Sequence, residues 1–357
     1  MKKKIIPIFV PHKGCPHDCI FCNQKKITGV STDVTEETAK SVIEECLEYI
    51  DRDSSIEIAF FGGSFTAIDI EIQRKLLAVA KSYIDSGDVD YIRLSTRPDC
   101  IDEYILSMLK EYGVRIIELG VQSLDEDVLD ESIRGHKSDV VYKSAKLIKK
   151  FGFELGLQMM LGLPTDTEEK CLYTAKEFIK MNPSCVRIYP TLVVQETGLE
   201  ILLSEGKYTP FSLEKSISIV KKLLVLYYVN DINVIRVGLQ ATDDIQMGEA
   251  VVDGPYHPAF RELVESEIIK DFIESEVINK YEFKHELVIR VNKKNISKII
   301  GNKKSNINYM SKKYGLMLKV EESNVDEEQL HIMIDKNNIL KISMNDIYSK
   351  LFSVYNL

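Results

Sequence analysis

The sequence predicts an α/β fold of parallel strands followed by a smaller α+β module. Three observations carry that reading. Short β-rich runs alternate with helical patterns across about the first 190 residues. The runs are apolar nearly throughout instead of alternating with polar residues, which suits strands covered on both faces. Beyond about residue 280 the composition changes abruptly.

In chain order, the strand candidates are residues 5–10, 56–61, 91–96, 115–121, 153–162 and 185–192. Helical patterns lie between them at 36–50, 69–86, 102–112, 138–151 and 166–181. Thr35 before Glu36 and Glu37, and Thr165 before Asp166 and Glu168, give the hydroxyl caps and early acids of helix starts. Six β/α repeats fit either an open doubly wound sheet or a full or partial (β/α) barrel, and both put chemistry at the C-terminal strand ends. Polar and glycine residues gather there. Cys15 follows strand one, Gly62-Gly63-Ser64 strand two and Arg97 strand three, while Gln122 ends the fourth and Gln158 lies in the fifth.

A helix is then predicted over 213–229, a strand over 233–239, a Gly-, Asp- and Pro-rich loop over 240–258, and a helix from 258 or 259 to about 280. Residues 281–320 hold ten Lys and Arg against two acids, Glu282 and Glu286. That shift predicts a boundary near 268–283, with domains of residues 1–267 and 268–357. The module reads strand 284–291, helix 293–300, helix 305–314, strands 316–321 and 329–334, and helix 340–351.

With 357 residues, 45% of them apolar, the chain has the material for one large core and a satellite domain. The net charge of −9 excludes a polybasic nucleic-acid coat, and the basic segment leaves 36 bases against 53 acids elsewhere. No apolar run reaches the roughly 18 residues of a membrane span. The basic N-terminal start has too short an apolar stretch for a signal peptide, so the expected location is the cytoplasm. Seven cysteines, at 15, 19, 22, 46, 100, 171 and 185, do not form a disulfide framework, and the last four are expected as small buried hydrophobes.

Cys15-x3-Cys19-x2-Cys22 is the strongest motif. Three thiolates within eight residues fit one side of an iron–sulfur cluster, whose usual fourth thiolate is absent. The alternative is zinc bound by the three cysteines with His12 or His17, but the second ligand pair of a zinc ribbon is absent. Residues 56–66 form a second motif, a buried strand that ends in Gly62-Gly63-Ser64, where glycines let backbone approach a ligand closely. Alone, it reads better as a tight strand-to-helix turn.

Together the two motifs resemble the radical S-adenosylmethionine (SAM) superfamily. The resemblance implies a [4Fe–4S] cluster on Cys15, Cys19 and Cys22, with SAM completing the fourth iron. It also implies Gly62, Gly63 and Ser64 near the SAM amino group and Phe21 near the adenine. Reductive cleavage of SAM would then give a 5′-deoxyadenosyl radical. The motifs 62–66, 95–99, 118–123, 134–136, 158–164, 187–190 and 254–260 are similar to the radical core of the Elongator catalytic subunit, which modifies the wobble uridine of transfer RNA. That similarity covers residues 1–267 and implies a partial (β/α)6 TIM-type barrel. The oxygen-independent coproporphyrinogen oxidases share fewer of these elements. Further roles follow from the resemblance. Thr96 and Arg97 reach the SAM carboxylate or ribose, unless Arg97 pairs with Asp99; Arg134 is the other candidate for the carboxylate. Gln122 and Gln158 bind ribose or substrate or serve as structural hydrogen-bonding groups, and Tyr189 lines the pocket or packs; Gln158 and Tyr189 are the catalytic candidates. No acetyltransferase domain or long N-terminal RNA-binding extension is found in these residues. The resemblance thus implies a radical step and not the group transferred. Its expected partners are transfer RNA, an electron donor of flavodoxin or ferredoxin type and an acyl- or group-transfer protein.

The module is similar to a KH domain. Residues 299–307 occupy the place of its Ile-Gly-x-x-Gly-x-x-Ile segment, a clamp on nucleotide backbone, with Lys304 in place of the second glycine. Gly301, Lys303 and Lys304 are the RNA-binding candidates; a packing or dimerisation element is the alternative. For the whole chain, an RNA-modifying radical enzyme stands against a radical enzyme acting on a small molecule such as a tetrapyrrole, and against a non-enzymatic metal scaffold.

Overall fold

A computed structural model of the chain describes residues 3–10, 15, 18–23, 34–51, 53–239, 247–283, 285–334 and 339–357. His12 and His17, named above, lie outside the described residues, as do residue 284 at the start of the module's first predicted strand and the stretch 240–246 of the predicted loop. The chain divides into two compact units, residues 1–211 with 239–256, and residues 212–238 with 257–357.

The first unit carries β1 (Lys3–Val10), α1 (Glu36–Tyr49), β2 (Ser55–Gly62), α2 (Ile70–Asp85), β3 (Tyr91–Thr96), α3 (Glu103–Glu111) and β4 (Val114–Gln122). There follow α4 (Glu126–Glu131), α5 (Ser138–Lys150), β5 (Glu154–Leu161), α6 (Glu168–Met181), β6 (Cys185–Pro190), β7 (Val193–Val194) and α7 (Gly198–Ser204). Within this unit β1 to β6 lie side by side in sequence order, each parallel to the next. A doubly wound sheet would reverse its order at a switch point. The strands instead curl into a half-barrel, which settles the choice the sequence left open.

Local chemistry explains the helices. Asp69, Asp102, Asp125 and Thr167 each accept backbone N–H bonds at the starts of α2, α3, α4 and α6. Their apolar stripes, such as Leu76, Leu77 and Ala80 on α2 or Ala175 and Phe178 on α6, are buried. Each large side chain so buried contributes roughly 1.5–3 kcal/mol.

The opposite face of the strands is built differently. Glu57 on β2, Arg93 on β3, Glu118 on β4 and Arg187 on β6 are all buried and meet there. Arg93 donates to Glu57 at 3.0 Å and to Glu118 at 2.7 Å, and Arg187 donates to both Glu118 oxygens at 2.6 and 3.0 Å. Two acids and two bases balance. Gly156 on β5 makes room for them, since a Cβ there would lie 2.7 Å from Glu118 Cγ and 3.1 Å from Cys185 Sγ.

The second unit carries α8 (Leu213–Val229), β8 (Asn233–Val237) and α9 (Phe260–Phe272), which runs on as a π-helical turn, Ile273–Ile278. The sequence boundary at 268 falls inside α9. Next come β10 (Glu286–Val291), α10 (Ile296–Ile300), α11 (Ser305–Tyr314), β11 (Met317–Glu322), β12 (Gln329–Met333), β13 (Ile339–Ser343) and α12 (Met344–Val354). The short strand β9 (Val251–Asp253) belongs to the first unit, where it pairs with β7. The sheet order is β11-β10-β12-β13. β10 and β11 are parallel, joined across α10 and α11, and the other pairs are antiparallel. Lys221 of α8 and Tyr355 beyond α12 both donate to Asp271 of α9, at 2.6 Å each, so three helices share one acid.

One element corrects the sequence reading. The predicted helix over 340–351 begins only at Met344, because Ser343 and Asp346 form a capping box there. Residues 339–343 before it are a strand paired with β12. Leu340 and Ile342 extend the apolar pattern backwards, so periodicity alone merged strand and helix.

The crowding at Gly156 is testable. Gly156→Ala should destabilise the chain by about 1–3 kcal/mol through overpacking, read as a lower urea midpoint. An unchanged midpoint would contradict the packing described.

Candidate active site

The cysteine loop is fastened at several points. Cys22 N–H donates to Cys19 O at 2.9 Å, closing a tight turn. Ile20 N–H donates to Ser132 O at 3.2 Å, Leu199 N–H donates to Ile20 O at 2.8 Å, and the Asn23 amide donates to Gln195 O at 3.0 Å. Ile20 and Phe21 pack against Val193, Leu199 and Tyr208. Cys19 is buried, while Cys15 and Cys22 are half-buried.

At the end of β2, Gly62 has a φ of +104°, and a Cβ there would lie 2.5 Å from Val10 O. Gly63 N–H donates to the same oxygen at 3.0 Å. Only glycine allows β1 and β2 to close in this way, so the turn and the close approach are one requirement.

Beside it runs a chain of buried hydroxyls. Thr66 donates to Cys100 O at 2.6 Å, which uses its only proton. Thr96 must therefore donate to Thr66 (2.5 Å), and Ser64 to Thr96 (2.8 Å). Arg97 N–H donates to Ser64 Oγ at 3.1 Å. The direction is fixed throughout, so Ser64 can offer a ligand a lone pair but no proton.

Gln122 ends β4 at a bulge with a φ of +72°, a strained conformation for a residue with a side chain. Its buried Oε1 has no hydrogen-bond partner among the described residues. Gln158 donates to Glu118 at 2.9 Å, so its amide orientation is set by the charge network beneath. Arg97 binds Asp99 through two bonds of 2.9 Å, and this pairing keeps the Asp99 carboxyl below its ordinary range although burial opposes it. Of the two readings of Arg97, the geometry has the Asp99 pair. Arg97 and Arg134 both donate to Cys19 Sγ, at 3.5 and 3.0 Å. Arg134 Nε has no partner among the described residues.

The three cysteines, the glycine pair, Ser64, Thr96, Arg97, Gln122, Arg134 and Gln158 line one cavity of about 130 Å³. Every site residue read from sequence in the first unit borders it except Tyr189, which lies on β6 in register with Met160. Ser95 and Gly120 also border it, and sequence reading missed them, along with Thr66 and Glu118 behind the wall. A signal for Glu118 existed: Glu57, Arg93, Glu118 and Arg187 each interrupt an apolar strand. His136 was also missed as a site neighbour. Burial, then the Arg134 charge, lowers its pKa to about 4, so it is neutral at pH 7.

In the second unit, Gly301, Lys303 and Lys304 form the turn between α10 and α11. Lys303 and Lys304 have φ of +50° and +64°, so Lys304 keeps a left-handed backbone although it is not glycine. Asn306 pins the turn to α9, donating to Ser266 O at 3.0 Å. Lys294, Lys298, Lys313, Lys319 and Arg290 are ion-paired, whereas Lys293, Lys303, Lys304 and Lys312 have no acidic partner among the described residues.

The residues fit the groups the cysteine motif implies. Cys15, Cys19 and Cys22 line one cavity with a glycine pair and with Gln122 and Arg134, whose buried Oε1 and Nε have no partner among the described residues. A ligand carrying both donors and acceptors, such as an amino acid or a ribose, satisfies both orphans. Among the described residues no three His, Cys, Asp or Glu converge on a single-ion site. Thiolates that each bind a different iron of a cluster need no such convergence.

A sequence model of the radical SAM superfamily matches residues 9–178, and one of the Radical_SAM C-terminal domain matches 183–270. The chain is 26% identical over 257 residues to a tRNA uridine(34) acetyltransferase of Methanocaldococcus jannaschii, covering 60% of this chain and 47% of that protein. It thus spans about half of that relative's length. An uncharacterized protein of the same organism is 31% identical over 234 residues, covering 61% of this chain and 71% of that protein. The structure of archaeal Methanocaldococcus infernus Elp3 with an N-terminal deletion superposes with a TM-score of 0.59 at 19% identity, covering 93% of this chain and 74% of that one. This last likeness is one of fold.

The charge network below the cavity yields a test. Burial opposes the Glu118 charge, but Arg187 and Arg93 outweigh it and hold its carboxyl below the ordinary value. Glu118→Gln leaves two buried guanidiniums short of a counter-charge and should cost about 3–5 kcal/mol at pH 7. The native stabilisation is complete above the unfolded-state value, roughly pH 4.3, and fades as pH falls through the folded-state value. Urea titrations should therefore show the gap between wild type and variant narrowing in acid; a gap independent of pH would contradict this.

Proposed function

The chain belongs to the radical SAM superfamily, and from that premise we propose that it modifies transfer RNA with its cluster held by Cys15, Cys19 and Cys22. As a superfamily member it is an enzyme with a [4Fe–4S] cluster and SAM as cofactors. When bound, the pair supplies a 5′-deoxyadenosyl radical that abstracts hydrogen from substrate. The observation that carries the site assignment is the meeting of three cysteines, a glycine-pair strand end and two orphaned polar atoms at one cavity.

The chain's own residues then bind, orient and shield. Gly62 and Gly63 let the SAM amino-acid portion approach the backbone, and Ser64 accepts from its amine. Gln122 Oε1 accepts from a ribose hydroxyl, and Arg134 Nε donates to an acceptor of the ligand. Phe21 supplies an apolar face for the adenine. Thr96 anchors Ser64, and Arg97, held and neutralised by Asp99, donates to Cys19 Sγ. Gln158, which lines the cavity and is fixed through Glu118, and Tyr189 are the residues proposed to meet the substrate.

Transfer RNA as substrate is supported by what the similar proteins are named for, and by the second unit. We read residues 286–354 as KH-like, with Gly301, Lys303 and Lys304 contacting RNA backbone. Two adjacent lysines in left-handed backbone are costly, by about 1 kcal/mol or more each, and such strain concentrates at ligand-binding turns. The exposed, unpaired lysines at this turn suit phosphate. The proposal places the enzyme in the cytoplasm, with an electron donor of flavodoxin or ferredoxin type and an acyl- or group-transfer partner. No described helix is long and apolar enough to cross a membrane.

After anaerobic reconstitution, the chain should absorb near 400 nm and release 5′-deoxyadenosine from SAM with dithionite. The combined Cys15→Ala, Cys19→Ala and Cys22→Ala variant should do neither, and activity persisting in it would refute the cluster assignment. For RNA, Lys303→Glu with Lys304→Glu should weaken a transfer RNA gel shift and reduce the salt slope by roughly 1–2. An unchanged slope would show that the turn is not the contact. Nucleoside profiles that are identical with and without the gene would favour a small-molecule substrate.

A further inference from the structure

Arg134 is the odd charge in the first unit. Its side chain is 4% exposed. The other buried arginines there, Arg93, Arg97 and Arg187, each pair with a carboxylate. Arg134 has none among the described residues. Its Nη2 donates to Gly120 O at 2.5 Å, and its Nη1 to Cys19 Sγ at 3.0 Å. A buried guanidinium without an anion is expensive, and burial persists only where a counter-charge meets it.

The side chain that Arg134 donates to can carry that charge, and it is Cys19. Cys19 is 8% exposed and is the buried member of the three cysteines. Ligating a metal makes its sulfur a thiolate. We propose that Arg134 is the counter-ion of the Cys19 corner of the cluster and raises the cluster's reduction potential. The inference rests on the cluster assignment above. A cation close to one ligating sulfur, with an N–H donated to it, favours the reduced and more negative cluster. Arg97 cannot do the same to the same extent, because Asp99 cancels its charge through two bonds. The balance seen in the strand network thus recurs at the site, with the cluster as the missing acid.

The test is a redox titration of the anaerobically reconstituted full chain without SAM, followed by electron paramagnetic resonance, with iron and sulfide counted in each sample. At a fixed potential, Arg134→Gln should lower the ratio of reduced to oxidised cluster at least tenfold, equal to a fall of about 59 mV in midpoint for one electron. Arg134→Lys keeps the charge and should stay within about threefold of wild type. A fully loaded Arg134→Gln with an unmoved midpoint overturns the proposal. So does Arg134→Lys falling tenfold, and that variant alone decides if Arg134→Gln holds too little iron. A wild-type chain that takes up no cluster would instead overturn the cluster assignment, so the two failures are distinct.

Discussion

The Glu118 carboxylate, buried between Arg93 and Arg187, holds the inner face of the half-barrel together. It binds β4 to β3 and β6, while Arg93 extends the network to Glu57 on β2 and Gln158 joins it from β5. Taking four charges out of water is costly, and the attraction among them offsets the cost only if every group is matched. Matching requires space, which Gly156 provides by lacking a side chain. The network therefore sets the curvature-facing surface and, through Gln158, part of the cavity wall above it.

A second constraint lies one level higher. β1 and β2 approach so closely that Gly62 cannot carry a Cβ against Val10 O. The hydroxyl chain from Ser64 to Thr66 ties the next strand end to the same place, with its protons running one way toward Cys100 O. These two devices leave few rotatable groups at the site. The cavity wall is then largely preorganised, with Gln122, Arg134 and the three cysteines along it. Preorganised polar groups cost no reorganisation when a charged ligand arrives.

Much of this was legible in the sequence. The β/α repeat was legible because it is local, and the cysteine spacing and the glycine-pair strand end pointed to residues that the fold brings to one cavity. Sequential strand order was not legible, since a doubly wound sheet and a half-barrel share the same alternation of elements. The Glu57, Arg93, Glu118 and Arg187 network escaped notice because its members are spread from residue 57 to 187 and meet only when parallel register aligns them. Each strand read as apolar, and a single charged residue within it was passed over. The bulge that turns Gln122 inward, with its φ of +72°, has no sequence signature, because glutamine is not a residue that announces left-handed backbone. At the other end of the chain, strand and helix merged at Ser343 because the capping box was outweighed by an apolar pattern running through it.

The central claim is that three cysteines hold a cluster whose remaining iron has no protein thiolate and is open to SAM. Mössbauer spectroscopy of the chain reconstituted with ⁵⁷Fe tests this directly. Adding SAM should change the spectrum of about one iron in four, the remainder keeping their thiolate-ligated parameters. Irons that are all indifferent to SAM, or a preparation that binds zinc alone at the cysteine loop, would contradict the account.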